Sequence, residues 1–458
     1  MSVTKVPARS EPSGGAVSAH RERVDAALAC LRDGRPVLVA DDRDREDEVD
    51  VILPAATATT AWVAWTIRHT SGYLCAPLPE HRADHLELPV MVRRTQDPRG
   101  TAYTVSVDAS GGVGTGISAA DRATTLRVLA DPAAGPADLI RPGHVLPLRA
   151  VPGGVLERPG HTEAAVDLCR LAGVGDVAAI AELVEDDGTM TNRARAAVLA
   201  RRHGLALLTI ADLIAYRSAE GRPAVPPAHT SIRVRARGTA RLPTPHGVFD
   251  VHAYADLRTG DEHLALTAPA PVHDSATAAR PDPLVRLHSE CRTGDALGSA
   301  RCDCGEQLRT AMARVAEEGG AVIYLGGHEG RGIGLLPKIA AYALQDAGAD
   351  TVEANLRLGH PAEAREYGAA AAILTDLTMR RIRLLTNNPA KVTGMTDAGI
   401  EVSAALGLDV GHTPDNHRYL ETKRTAMNHH LPSLDDRMGG TTTPHPAERG
   451  TDATEDLS

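Results

Sequence analysis

The chain has 458 residues, 43% hydrophobic but only 2% aromatic, with 49 basic and 59 acidic side chains for a net charge of −10. That length calls for two or more domains, with cores built from aliphatic side chains. The acidic balance argues against nucleic-acid binding, which needs a basic surface, and no apolar run approaches the length of a membrane span.

Residues 1–18 are polar and small, lack the apolar stretch of a secretion signal, and read as a disordered tail. Six cysteines in so long a chain form no disulfide framework, so a reducing, cytoplasmic setting is expected. A helix begins at Arg21, with Val24, Ala27, Leu28 and Leu31 at i, i+3, i+4 and i+7. Gly34 ends it, and Val37 to Ala40 read as a buried strand. Helices, strands and glycine turns then alternate, giving one domain over 19–217. Residues 218–229 carry three prolines and read as a linker. A second domain spans 230–432, and a polar tail follows over 433–458. The expected fold class is α/β (α+β) in two domains with mixed sheets, and no internal repeat is present.

After the first strand comes Asp41-Asp-Arg-Asp-Arg45-Glu46-Asp-Glu-Val-Asp50, in which seven of ten residues are acidic. Such a run alone is a solvated loop. Here it leaves a buried strand, and its interleaved arginines suit a sugar phosphate while its carboxylates suit Mg2+. Later, Arg158-Pro-Gly-His161-Thr162-Glu163 precedes an apolar helix pattern. Thr162 is the expected N-cap, and the open amides there favour a phosphate. His161 is open between a structural role and that of metal ligand or general base. Glu182 adds a carboxylate at the end of a predicted strand.

In the second domain, Cys291, Cys302 and Cys304 are spaced C-x10-C-x-C. Three thiolates plus water make an open, catalytic zinc site, and the same spacing also suits a structural zinc loop. Arg286, Arg331, Arg365 and Lys391 supply cations for phosphates. The Gly326–Gly334 loop supplies amides without being a Walker A or a dinucleotide fingerprint.

Residues 21–217 resemble 3,4-dihydroxy-2-butanone 4-phosphate synthase. The likeness rests on the acidic loop, Thr70-Ser-Gly-Tyr-Leu-Cys75, Gly100-Thr-Ala-Tyr-Thr104, Gly114-Thr-Gly-Ile-Ser118 and the Arg158–Glu163 turn. That family converts ribulose 5-phosphate to dihydroxybutanone phosphate and formate with Mg2+ (or Mn2+). The resemblance implies metal on Glu46 and His161. It implies sugar-phosphate contacts or proton transfer by Arg45, Glu46, Asp50, Arg158, Pro159, Gly160, His161, Thr162 and Glu182, with Cys75 in the pocket. Val49 stands where the family carries Gly, and would be strained if that position has positive φ.

Residues 230–431 resemble GTP cyclohydrolase II. The likeness rests on the cysteine cluster, His328-Glu-Gly-Arg-Gly-Ile-Gly-Leu335, Ala341-Tyr342-Ala-Leu-Gln345, Asp350-Thr-Val-Glu-Ala-Asn355, Ala364-Arg365-Glu-Tyr367 and Leu384-Leu-Thr-Asn-Asn-Pro389-Ala-Lys391. The resemblance implies zinc on the three cysteines and GTP contacts from Arg286, Leu287, His288, Ser289, Glu290, Gln307, Glu329, Gly330, Arg331, Thr351, Thr386 and Lys391. Arg365 is implied as nucleophile, Glu363 as its acid/base partner, and Tyr342 as an aid to ring opening. The family often has Arg where Gly326 and Ala340 stand, so weakened GTP binding is expected, with Arg292 supplying some of the missing charge.

Together the two resemblances imply a cytoplasmic, homodimeric, bifunctional enzyme of riboflavin synthesis acting on GTP and ribulose 5-phosphate. A paralogue with a single activity and a zinc-stabilised binding protein are the competing readings. Intact Tyr342, Arg365 and the three cysteines disfavour the second.

Overall fold

The computed structural model describes residues 14–93, 95–219, 232–270, 281–432 and 434. Most of the expected tails and linker lie outside them. Residues Met1–Arg235 with Ala255–Asp261 form one compact unit, and Ala236–Tyr254 with Glu262–Ser458 form another.

The first unit holds a mixed sheet of seven strands: β1 (Val37–Ala40), β2 (Val49–Pro54), β3 (Cys75–Pro79), β4 (Val107–Ala109), β5 (Leu139–Ala150), β6 (Ala178–Glu182) and β7 (Leu207–Thr209), in the order β4-β5-β3-β6-β2-β1-β7. Strands β1 and β2 are buried at every residue, and Ile52 and Leu53 pack into different apolar clusters. Side chains alternate across a strand, so both faces of the sheet are covered. One face carries the helices Gly14–Arg32 and His161–Ala172, which supply Val24, Leu28, Leu31 and Leu168. The other carries Thr60–His69 and Ala119–Ala130, which supply Val63, Leu126 and Leu129. The first helix thus buries the periodic face seen in the sequence, though it starts at Gly14, ahead of Arg21.

Two local expectations need correction. Val49 lies within β2, opposite Ala40 and 1% exposed, so it is an extended core residue without strain. The positive φ in this loop falls on Asp47, at 54°, and Asp is among the residues that tolerate it. Thr162 is not an N-cap. Gly160 occupies that position, and Thr162 is a buried residue of the helix.

The second unit holds β8 (Val234–Thr244), β9 (Gly247–Asp256), β10 (Glu262–Ala268), β11 (Leu284–Ser289), β12 (Gly320–Leu325), β13 (Arg381–Leu385) and β14 (Glu401–Leu406), in the order β14-β13-β11-β12-β10-β9-β8. Strands β11, β12, β13 and β14 pair in parallel, whereas β10 meets β12 antiparallel. Phe249, the sole phenylalanine, is 1% exposed among Leu284, Val315, Val322 and Leu385. Asn388 caps the helix Pro389–Asp397 by accepting from the Ala390 amide, so the Asn-Asn-Pro segment is a helix start and not a bare turn.

Candidate active sites

In the first unit the acidic run becomes the hairpin loop between β1 and β2. Asp41 organises it, accepting from Arg45 Nη1 at 2.9 Å and from the Glu48 amide at 2.9 Å. Carboxylate oxygens of Asp41 and Glu46 and a ring nitrogen of His161 lie within 4.8 Å of one another. The His161 ring lies with Nε2 3.1 Å from the Val39 carbonyl, which leaves Nδ1 as the available lone pair. Burial pushes the imidazole down to about 4, so it is neutral, the form a metal requires. The donor set therefore fits a hard divalent cation. Asp41 was not expected there from the sequence, because its role depends on the hairpin's closure.

Asp50 and Glu182 face each other on β2 and β6. Burial, then the neighbouring Glu182 and Glu48, hold the Asp50 carboxyl well above the usual carboxylate range; its Oδ1 has no hydrogen-bond partner and lies 3.7 Å from His161 Nδ1. The Glu182 Oε2 accepts from Ser71 Oγ at 2.8 Å. Arg45, Arg158 and Pro159 line a cleft, together with Arg43, Arg99 and Arg193. Arg158 also pairs with buried Glu163 at 2.6 Å. A Cβ on Gly160 would come within 2.7 Å of Arg158 Nη1 and 2.9 Å of Glu163 Oε2, so a side chain there would displace that ion pair. Cys75 does not line that cleft. It is 2% exposed in the apolar core, and burial, then Glu182 and Asp50, raise its thiol well above the ordinary range.

In the second unit the sulfurs of Cys291, Cys302 and Cys304 lie within 4.8 Å of one another, with Cys291 and Cys302 3.7 Å apart. A Cβ on Gly294 would sit 2.8 Å from the Cys302 sulfur, so the cradle is closed on that side. Hydrogen bonds from Cys302 and Cys304, and then the Lys338 ammonium, hold Cys291 below the usual thiol range. Lys338 Nζ lies 3.1 Å from that sulfur, 2.7 Å from Thr293 Oγ1 and 2.5 Å from Glu329 Oε1. The Tyr342 hydroxyl is 3.3 Å from Thr293 Oγ1, one helical turn beyond Lys338 on the helix Leu335–Asp346. Soft ligands, a nearby cation and an adjoining cleft fit zinc in an open site.

Two adjoining clefts share Ser289, Cys304, Arg331, Arg365 and Tyr419. Glu290, Gly330, Tyr342 and Thr351 line the first; Arg286, His288, Gln307, Thr386 and Lys391 line the second. Arg286 and His288 reach it because they share a face of β11, whereas Leu287 points away and offers only its carbonyl to Lys391 Nζ at 2.7 Å. Glu329 is buried on Lys338, and Glu363 holds Arg365 through Nε at 2.8 Å, so neither lines a cleft. His288 Nε2 is 3.0 Å from Asp295, whose other oxygen accepts from Tyr324 and from the Cys291 amide. Arg331 takes φ 67°, a costly conformation for a residue with a side chain and one that accumulates at functional sites. Burial, then Arg286, Arg365 and Lys423, hold Lys391 far below the usual lysine range. Gly326 lacks room for a side chain, since a Cβ would lie 2.2 Å from the Glu262 carbonyl oxygen, and Ala340 is exposed and lines neither cleft. Lys338, Tyr419, Lys423, Met427 and His429 are lining residues that sequence reasoning missed.

Matches to known proteins fall on the same two regions of the chain. The family model of 3,4-dihydroxy-2-butanone 4-phosphate synthase matches residues 25–216, and that of GTP cyclohydrolase II matches 234–406. The chain is therefore a bifunctional enzyme of the riboflavin-forming class. The riboflavin biosynthesis protein RibBA of Salinispora arenicola is 54% identical over 409 residues, covering 89% of this chain and 94% of the relative. That of Mycobacterium tuberculosis is 51% identical over 418 residues, covering 91% and 96%. A solved 3,4-dihydroxy-2-butanone 4-phosphate synthase in complex with two magnesium ions is 47% identical, covering 43% of this chain and 96% of its own, with a TM-score of 0.42. The chain belongs to the RibBA family of riboflavin biosynthesis proteins, and carries its synthase and cyclohydrolase activities.

Proposed function

We propose that the two sites use different metals and work independently, the synthase site with Mg2+ (or Mn2+) and the cyclohydrolase site with zinc. The observation that carries this is the pair of ligand clusters: three sulfurs in one unit, and two carboxylates with an imidazole in the other. Hard cations take oxygen ligands and zinc takes thiolates.

In the synthase site, Glu46, His161 and Asp41 hold the cation. Mg2+, when bound, polarises the hydroxyl and carbonyl oxygens of ribulose 5-phosphate. Arg45, Arg158 and the Pro159–Thr162 turn position the sugar phosphate. Asp50 and Glu182 move protons, a role that suits two facing carboxyls, with Asp50 held well above the usual carboxylate range by burial and by the neighbouring Glu182. Cys75, buried in the core with its thiol held above the ordinary range, stays uncharged and takes no direct part.

In the cyclohydrolase site, Cys291, Cys302 and Cys304 hold zinc, which when bound activates water for attack near neutral pH. Tyr342, from the wall of the first cleft, supports opening of the guanine imidazole ring. Arg286, Gln307, Arg331, Thr386 and Lys391 hold the nucleotide's polar groups. Arg365 attacks the α-phosphorus, the bond to pyrophosphate breaks, and Glu363 takes the guanidinium proton; water then cleaves the P–N bond, Glu363 returns the proton, and Arg365 and the nucleoside monophosphate are freed. The products are the diaminopyrimidine phosphate, formate and pyrophosphate.

Cytoplasmic location and a homodimer complete the proposal. Among the described residues no helix is long and apolar enough to cross a membrane. Two variants test independence. Glu46→Gln should abolish dihydroxybutanone phosphate formation and leave GTP turnover intact; Cys302→Ser should remove zinc and formate release from GTP and leave the synthase intact. Loss of both activities in either variant would contradict it.

A further inference from the structure

The family match ends at residue 406, yet the second cleft does not. One of its walls consists of Tyr419, Lys423, Met427 and His429, from the helix His417–Met427 and the turn after it. Arg286, Arg331, Arg365 and Lys391 line the same cleft. Four of the lining residues have a buried side-chain nitrogen without a partner: Arg286 Nε, His288 Nδ1, Arg331 Nη2 and His429 Nε2. Arg286 Nε and Arg331 Nη2 are obligate donors, whereas His288 donates through Nε2 to Asp295 and its neutral ring keeps Nδ1 as a lone pair; unmatched buried guanidinium donors are costly and point to a ligand with acceptor oxygens.

The segment is held in place. Leu420, Leu431 and Leu434 form a buried cluster against Tyr419. Asn428 turns the chain at φ 54°, the His429 amide donates to the Lys423 carbonyl at 3.1 Å, and the His430 amide donates to the Asn387 carbonyl at 3.0 Å. Lys423 itself is committed to Asp303 at 2.6 Å. Within the segment, His429 Nε2 is the side-chain nitrogen that is buried and without a hydrogen-bond partner. Burial, then Lys423, Arg365 and Lys391, push its imidazole down to about 3, so it offers an N–H without adding charge to a crowded cationic site.

We infer that this C-terminal segment completes the phosphate end of the GTP site, with His429 Nε2–H donating to a phosphate oxygen of the substrate. The inference rests on reading this cleft as the GTP site. It makes His429 a substrate-binding residue outside the matched cyclohydrolase range.

The test uses the full chain and inorganic tripolyphosphate, titrated calorimetrically, with guanosine as a competitor of GTP turnover. His429→Leu should weaken tripolyphosphate binding and raise the KM for GTP about tenfold, the scale of one lost hydrogen bond to a charged group, with kcat little changed. Inhibition by guanosine and turnover of ribulose 5-phosphate should stay as in wild type. His429→Gln, which keeps an N–H, should recover most of the affinity. Unchanged tripolyphosphate binding in His429→Leu would overturn the inference and leave the GTP-site reading standing. Equal weakening of guanosine would also overturn it, by showing a structural role. A wild-type chain that binds neither GTP nor tripolyphosphate would overturn both.

Discussion

The Lys338 ammonium sits 3.1 Å from the Cys291 sulfur, although 47 residues separate them in sequence. Burial opposes a charge there, but the Cys291 thiolate and Glu329 hold the lysine charged, above its ordinary value. Three thiolates on one divalent ion leave a net negative centre, and a fixed ammonium offsets it. Lys338→Met should therefore lower zinc retention against a chelator and reduce GTP turnover at least tenfold. It also strands the 3%-exposed Glu329 carboxylate without its cation, at a cost of about 3–5 kcal/mol of stability, readable by urea unfolding. Unchanged zinc retention would sink this role.

The Gly294 position gives a steric counterpart. A methyl there would lie 2.8 Å from the Cys302 sulfur and 3.1 Å from that of Cys291. Gly294→Ala should cut zinc content and GTP turnover together while the synthase continues. Full zinc occupancy in that variant, measured by elemental analysis, would show that the thiolate loop yields more easily than its packing implies.

Val49 yields the opposite of its sequence expectation. Because it is an extended core residue, Val49→Gly removes buried methyls and loosens a strand, costing about 2–4 kcal/mol. Synthase turnover should not rise. A gain in turnover would mean that the loop is strained after all.

Asp212 makes stability pH-dependent. Burial works against its charge, but hydrogen bonds from Arg23 and His20 hold its carboxyl below the usual range. A depressed folded-state pKa stabilises above the unfolded value of about 4, and the benefit fades as pH falls through the folded value. Asp212→Asn should cost about 1–3 kcal/mol at neutral pH, with the gap to wild type closing in acid. A gap independent of pH would contradict the assignment.

Much of the architecture was legible because it is periodic. Val24, Ala27, Leu28 and Leu31 share one helical face, and all are buried. The gathering of Cys291, Cys302 and Cys304 was legible through their spacing, and that of Glu46 with His161 through family motifs. What escaped was set by tertiary geometry. Asp41 gains its place from hairpin closure, and the loop's left-handed residue proved to be Asp47, not Val49. Lys338 stands one turn from Tyr342 on a helix, a spacing that could have flagged it. His429 follows a helix outside every motif and gained meaning only when that helix was seen to wall the cleft. Gly326 in place of the family's Arg suggests a lost cation, whereas the backbone there leaves no room for a side chain.

The most direct test of the whole account is product analysis of the purified chain given GTP alone and ribulose 5-phosphate alone. The account predicts diaminopyrimidine phosphate, formate and pyrophosphate from the first, and dihydroxybutanone phosphate with formate from the second. A ring-opened formamide as the sole end product from GTP, or no turnover of either substrate at millimolar concentration, would contradict it.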